Sequence, residues 1–268
     1  MKIWLFGDSF ATLKYPPNSH NTQSWVEKLN KSFDLYVDAT SGNGASNIMD
    51  GISKIDLKKV KDDCLIVFYA DPCRVNFENI LYKDAQPSLG KVIYEWYING
   101  EDVEEKIDSD LWDWDKNYFK DYPHKIQEII YHYDMWHRDI GNRSLALWHL
   151  CSLLHISYFF KKTIIWPCVN LSFYNINTEL LITNEKTSLI DMNICDISQN
   201  EIKDSTFIPS IDLRKNHLSQ VNHLIMYDLL INYLLEKSES VEVNLFEKNI
   251  ITKDNFPKKT NNNQFIYE

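Results

Sequence analysis

Apolar residues in the first seventy positions come in two alternating styles. Lys2 to Phe6 is a short apolar run. After a polar loop containing Tyr15-Pro16-Pro17-Asn18 comes Gln23 to Lys31, whose Trp25, Val26 and Leu29 fall on one face of a helical period. The unit then repeats: Asp34 to Ala39 reads as a strand, Ser41-Gly42-Asn43-Gly44 as its turn, and Ala45 to Ile55 as a helix with Ile48, Met49 and Ile52 at helical spacing. Cys64 to Ala70 is apolar throughout and ends at Asp71-Pro72, the pattern of a central strand covered on both faces. Strand-helix units in succession predict an α/β fold with a parallel sheet covered by helices.

Beyond Arg74 the rhythm is lost. Gly90 to Asn99 reads as a hairpin strand, and Asp102 to Asp115 is acidic and rich in Trp, so about 74–122 reads as an insertion or lid. His124 to Phe160 carries a long helical pattern broken near Gly141-Asn142, and Thr163 to Trp166 is a fourth strand ended by Pro167. Residues from about 170 to 205 are polar and irregular, with Leu180 and Leu181 as small anchors, and read as a second insertion. Leu224 to Leu235 is an apolar helix. One domain is thus expected over 1–236, followed by a polar, loosely attached C-terminal tail over 237–268.

Composition narrows the partners. A 268-residue chain with 44% hydrophobic residues sustains a sizeable core, and a formal net charge of −10 opposes a surface built to neutralise phosphates, so nucleic acid is not an expected ligand. The five cysteines, Cys64, Cys73, Cys151, Cys168 and Cys195, are widely spaced without Cys-x-x-Cys or zinc-ligand spacing, which predicts that most are buried thiols and that no metal is implied. The opening apolar stretch is shorter than a signal peptide's, and no run approaches the roughly 18 apolar residues of a membrane span. A cytoplasmic or virion-associated protein is expected, with no membrane partner and with a virion or homo-oligomeric assembly left open.

The candidate chemistry lies at the two ends of the chain. Gly7-Asp8-Ser9-Phe10 is a tight turn after the first strand that presents a hydroxyl at the strand's C-terminal end. A serine there is a candidate nucleophile, provided a neutral imidazole takes its proton. Asn216-His217-Leu218-Ser219, just before the last helix, supplies one. In an open parallel sheet, a turn after the first strand and a loop before the last helix share one crevice. His223 reads as structural, and so do His132, His137, His149 and His155, whose spacings give no zinc-binding pair.

Gly7-Asp8-Ser9 after the first strand, Gly44-Ala45-Ser46-Asn47 after the second, and the His-Leu-Ser-x-x-x-His run from His217 to His223 together resemble the SGNH (GDSL-like) hydrolase superfamily, as found in divergent bacteriophage or environmental bacterial members. The resemblance covers roughly 1–70 and 160–236. It implies a three-layer α/β/α, flavodoxin-like fold. It also implies Ser9 as nucleophile, His217 as base, and an oxyanion hole built from the N–H groups of Ser9 and Gly44 and an Asn side chain.

Two positions depart from the family pattern. Phe68-Tyr69-Ala70-Asp71 stands where Gly-x-Asn-Asp is expected, which puts Ala70 at the oxyanion Asn and leaves Asn76, Asn43 or Asn47 as substitutes. Arg214 stands three residues before His217 in place of an acid, so Asp212 is the nearest candidate to orient the imidazole. Substrate contacts are expected from Asp8, Asn47, Asp71 and Arg74, the last as a cation for an anionic group. Trp112, Trp114, Tyr94, Trp96 and Tyr97 either stack on sugar rings or pack the insertion.

The resemblance implies a serine esterase without cofactor, and O-acetyl groups on a carbohydrate, or another small acyl ester, are the expected substrate. Two alternatives stand beside it: a catalytically impaired glycan-binding or virion structural protein on the same scaffold, and an O-acyltransferase.

Overall fold

The computed structural model describes residues 1–13, 23–40, 43–72, 87–111, 113–138, 141–174, 176–178, 181, 183–203, 215–252, 258–259 and 265–266. Its centre is a five-stranded, wholly parallel sheet of β1 (Lys2–Gly7), β2 (Asp34–Ala39), β3 (Cys64–Tyr69), β4 (Lys162–Pro167) and β5 (Thr187–Leu189), in the order β2-β1-β3-β4-β5. All six residues of β3 are buried, as its unbroken apolar run requires of a central strand, whereas β2 lies at the edge and buries none of its residues completely.

The helices divide between the two sheet faces. On one face, α1 (Trp25–Ser32) packs against α9 (Gln220–Leu234), with Trp25, Val26, Leu29, Met226 and Leu230 closing over Ile3, Leu5, Ile66 and Phe68. A capping box opens α1: Ser24 Oγ accepts from Glu27 N at 3.2 Å, and the Glu27 carboxylate accepts from Ser24 N at 2.9 Å. On the other face, α2 (Ala45–Ser53) and α7 (Gly141–Ser157) bury Ile48, Ile52, Leu150 and Leu153 against Phe6, Leu65 and Val67. This is the expected three-layer, flavodoxin-like arrangement, with the parallel sheet that the repeated units predict.

Three segments differ from the sequence expectation. Gly90 to Asn99 is no hairpin strand, because Pro87–Ile98 forms helix α3. Its β-branched and aromatic residues mimic a strand locally, but Leu89 and Ile93, one helical turn apart, both bury against α6 (His124–Arg138). With α4 (Val103–Asp110) and α5 (Asp113–Asp121), α3 and α6 enclose a small core of their own around Ile93, Tyr94, Ile129 and Tyr133.

The stretch expected as a second insertion instead supplies β5 and helix α8 (Ile194–Asn200), both integral to the main core. The tail is not loose over 241–252 either. Val241, Phe246 and Ile251 are buried, and backbone bonds run from Lys203 N to Ile251 O (2.7 Å) and from Ile251 N to Glu201 O (2.8 Å). Further on, Lys258–Lys259 (β6) and Phe265–Ile266 (β7) pair antiparallel. Among the described residues, no helix is long and apolar enough to cross a membrane.

Candidate active site

The sheet order places a crevice where the order of strand addition reverses, between the C-terminal ends of β1 and β3. Gly7 ends β1 there, packed so tightly that a Cβ would stand 2.8 Å from Ala11 Cβ and 2.9 Å from Phe68 Cβ. The next turn is held by Asp8, which is buried. Its carboxylate accepts from Phe10 N at 3.1 Å and from the Cys168 thiol at 3.6 Å, and its carbonyl accepts from Ala11 N at 3.0 Å. Ser9 therefore sits on a short turn fixed on both sides.

Across the crevice, His217 Nε2 lies 2.7 Å from Ser9 Oγ, although 208 positions separate the two residues. The segment that delivers the imidazole has an unusual backbone. Asn216 and His217 are consecutive left-handed residues, with φ of 46° and 57°. Left-handed conformations persist in residues other than glycine when surrounding contacts over-determine them, and here those contacts are specific. The buried Asn216 amide donates to the carbonyls of Ser9 (2.9 Å) and Thr12 (3.0 Å), tying the histidine turn to the Ser9 turn. Ser198 Oγ donates to the His217 carbonyl at 2.7 Å, and the Phe10 ring packs 4.8 Å from the imidazole, centroid to centroid.

The helix that follows is anchored by a buried acid. Glu201 accepts from Ser219 N at 3.0 Å, from Ser219 Oγ at 2.6 Å and from the Asn222 amide at 2.5 Å. Ser219 is also the N-cap of α9, accepting from Asn222 N at 3.3 Å.

The expected oxyanion donors are unevenly placed. Ser9 N–H has no acceptor among the described residues, which suits it to meet a developing negative charge. Gly44 N–H is already engaged, donating to Asn43 Oδ1 at 3.1 Å, while Asn43 Nδ2 donates to the Gly7 carbonyl at 3.2 Å. Gly44 is the N-cap of α2, so the N–H groups of Ala45, Ser46 and Asn47 in its first turn have no intrahelical acceptor. Ala70 is buried and adds no polar atom at the end of β3.

Of the expected substrate contacts, Asn47 is half-buried in the first turn of α2, while Asp8 and Asp71 are buried in other roles. Asp71 forms an ion pair with Lys91 of α3 at 2.5 Å, and Lys91 also approaches Glu95 at 3.4 Å. Asp212, Arg214, Arg74, Asn76 and Trp112 lie outside the described residues, as does the side chain of Trp114. Among the aromatic residues, Tyr94 is core, stacked on Tyr133 at 5.4 Å, and Trp96 packs against the same cluster. Tyr97 is exposed and lines a groove of about 390 Å³ with Asp102, Glu104 and Gln127.

Sequence reasoning missed the Asn216, Ser198 and Glu201 contacts and the Asp71–Lys91 pair. Of these only Asn216 carried a sequence signal, by its place beside His217. Comparison with family models, curated proteins and solved structures finds no match to this chain.

Proposed function

We propose that the chain is a serine ester hydrolase of the SGNH (GDSL-like) type, with Ser9 as nucleophile and His217 as base. The observation that carries this reading is the 2.7 Å approach of His217 Nε2 to Ser9 Oγ, made by a turn whose two consecutive left-handed residues are held by Asn216 and Ser198. Ser9 Oγ attacks the ester carbonyl carbon while its proton passes to His217 Nε2. The carbonyl oxygen becomes an oxyanion that accepts from Ser9 N–H and from the first-turn N–H groups of α2. The tetrahedral adduct collapses, the C–O bond to the alcohol breaks, and His217 returns the proton to that oxygen. Water activated by the same imidazole then attacks the acyl-serine and frees the acid and Ser9.

A small acyl group on a carbohydrate is the proposed substrate. Exposed Tyr97 offers an aromatic face of the kind that stacks on a sugar ring, in a groove that it shares with Asp102 and Gln127 and with the apolar Val103, Pro123, Ile126 and Ile130. Binding without turnover is the second reading, and it draws on the engaged Gly44 N–H and the apolar Ala70, which leave the oxyanion fewer donors.

Acetate release from p-nitrophenyl acetate and from acetylated oligosaccharides tests the proposal. Wild-type turnover is expected to fall by about 10³-fold or more in Ser9→Ala. Acetate release that survives in Ser9→Ala, or retention of the acetylated sugar without turnover, contradicts it. Acetylated acceptor appearing alongside free acetate assigns the same acyl-serine to transfer.

A further inference from the structure

Ser198 of α8 and Glu201, the residue that caps its C-terminal end, hold the segment that carries His217. Ser198 Oγ donates to the His217 carbonyl at 2.7 Å, and Glu201 receives Ser219 N, Ser219 Oγ and the Asn222 amide at the start of α9. Glu201 is fully buried, and its carboxylate lies against the positive end of the α9 dipole, which stabilises the charge. Asn222 is in turn bonded in both directions to the Glu247 backbone, its amide donating at 3.0 Å and its carbonyl accepting at 2.8 Å. His217 precedes this anchored helix start by two residues, so wherever α9 begins, the imidazole follows.

We propose that Glu201 and Ser198 form a positioning clamp that aims His217 at Ser9, an inference that rests on His217 acting as the base. The left-handed backbone at Asn216 and His217 is not self-supporting. Asn216 ties it to the nucleophile turn from one side, and α8 grips it from the other. A carboxylate is the fitting group for the second grip because it is acceptor-only and meets three donors at once. Glu201→Gln puts an NH₂ in place of one acceptor oxygen, facing a donor, and loosens the helix start without emptying the space. A shift of the imidazole by a fraction of an ångström suffices to slow proton transfer.

The test compares full-length wild type, Ser198→Ala, Glu201→Asp and Glu201→Gln. It reads saturation kinetics of covalent labelling by a fluorophosphonate across pH, together with the NMR signals of the His217 ring in ¹³C-histidine protein. For Glu201→Gln the maximal labelling rate is expected to fall about 10- to 100-fold. Half-saturation should stay unchanged, the pH midpoint should be displaced, and the His217 ring signals should shift or split. Ser198→Ala is expected to move the same readings by about 3- to 10-fold in rate, and Glu201→Asp to recover part of the loss.

Folded variants with the wild-type rate, pH midpoint and His217 signals overturn the clamp. If Glu201→Gln does not fold, Ser198→Ala decides by the same readings. If wild type takes no label, the esterase reading fails, and the His217 ring signals still judge the clamp: unchanged signals overturn it, and displaced signals uphold it.

Discussion

At the scale of single residues, the site depends on close approach as much as on polar chemistry. Gly7 is required by space: any side chain there would collide with Ala11 and Phe68 at under 3 Å. Gly7→Ala is expected to cost about 1–3 kcal/mol, read as a lower urea midpoint, and to slow Ser9 labelling, because the Ser9 turn begins there.

His149 is a different case. It is buried on α7 with its Nδ1 3.4 Å from the Tyr69 hydroxyl, and burial lowers its pKa to about 4, against a smaller opposing influence of Asp50. The folded value lies below the ordinary 6.5, so between those values the unfolded chain binds the proton first. The neutral histidine's contribution is therefore complete above about pH 6.5 and is lost as pH falls toward 4, by up to roughly 3 kcal/mol. His149→Gln, which keeps a polar partner for Tyr69 but does not titrate, is expected to flatten that part of the stability profile in urea titrations at successive pH values. A slope identical to wild type would show that the imidazole is not the group responsible.

At the scale of elements, legibility followed the distance over which each signal acts. The strands β1, β2, β3 and β4 and the helices α1, α2 and α9 were legible, because each is marked by its own local run or spacing of apolar residues. Helix α3 was not, since Val92, Ile93, Tyr94, Trp96 and Tyr97 favour a strand locally and only packing on α6 makes them helical. Three-residue β5 is too short to give a periodic signal, and the tail's apolar residues, Val241, Phe246 and Ile251 among them, lie in a segment dominated by Lys, Glu, Asn and Ser. Phe246 and Ile251 nonetheless fasten the tail to Trp166 and to Glu201, and Val241 is buried in the main core. Phe246→Ala is accordingly expected to destabilise the fold by about 3–5 kcal/mol, read by thermal or urea unfolding. A change below about 0.5 kcal/mol would return the tail to the status of a loose appendage.

At the scale of the whole molecule, the sheet order accounts for the meeting of residues 9 and 217. Reversal of the order of strand addition between β1 and β3 opens a crevice at their C-terminal ends, and α9, packed beside α1, brings its leading turn to that crevice. Ser9 and His217 were legible because both lie at element boundaries whose positions the topology fixes. Glu201, Ser198 and Lys91 were not, because their partners stand 18 to 21, 19 and 20 positions away and nothing in the local pattern marks an acid or hydroxyl that will be buried facing a helix start.

The central claim is that this topology assembles an activated serine. The most direct test is labelling by a fluorophosphonate, read by intact mass and peptide mapping, on wild type, Ser9→Ala and His217→Ala. The expected result is one adduct, on Ser9, absent from Ser9→Ala and slowed by about 10³-fold or more in His217→Ala. Folded wild-type protein that takes no label, or labels equally with His217 removed, would contradict it.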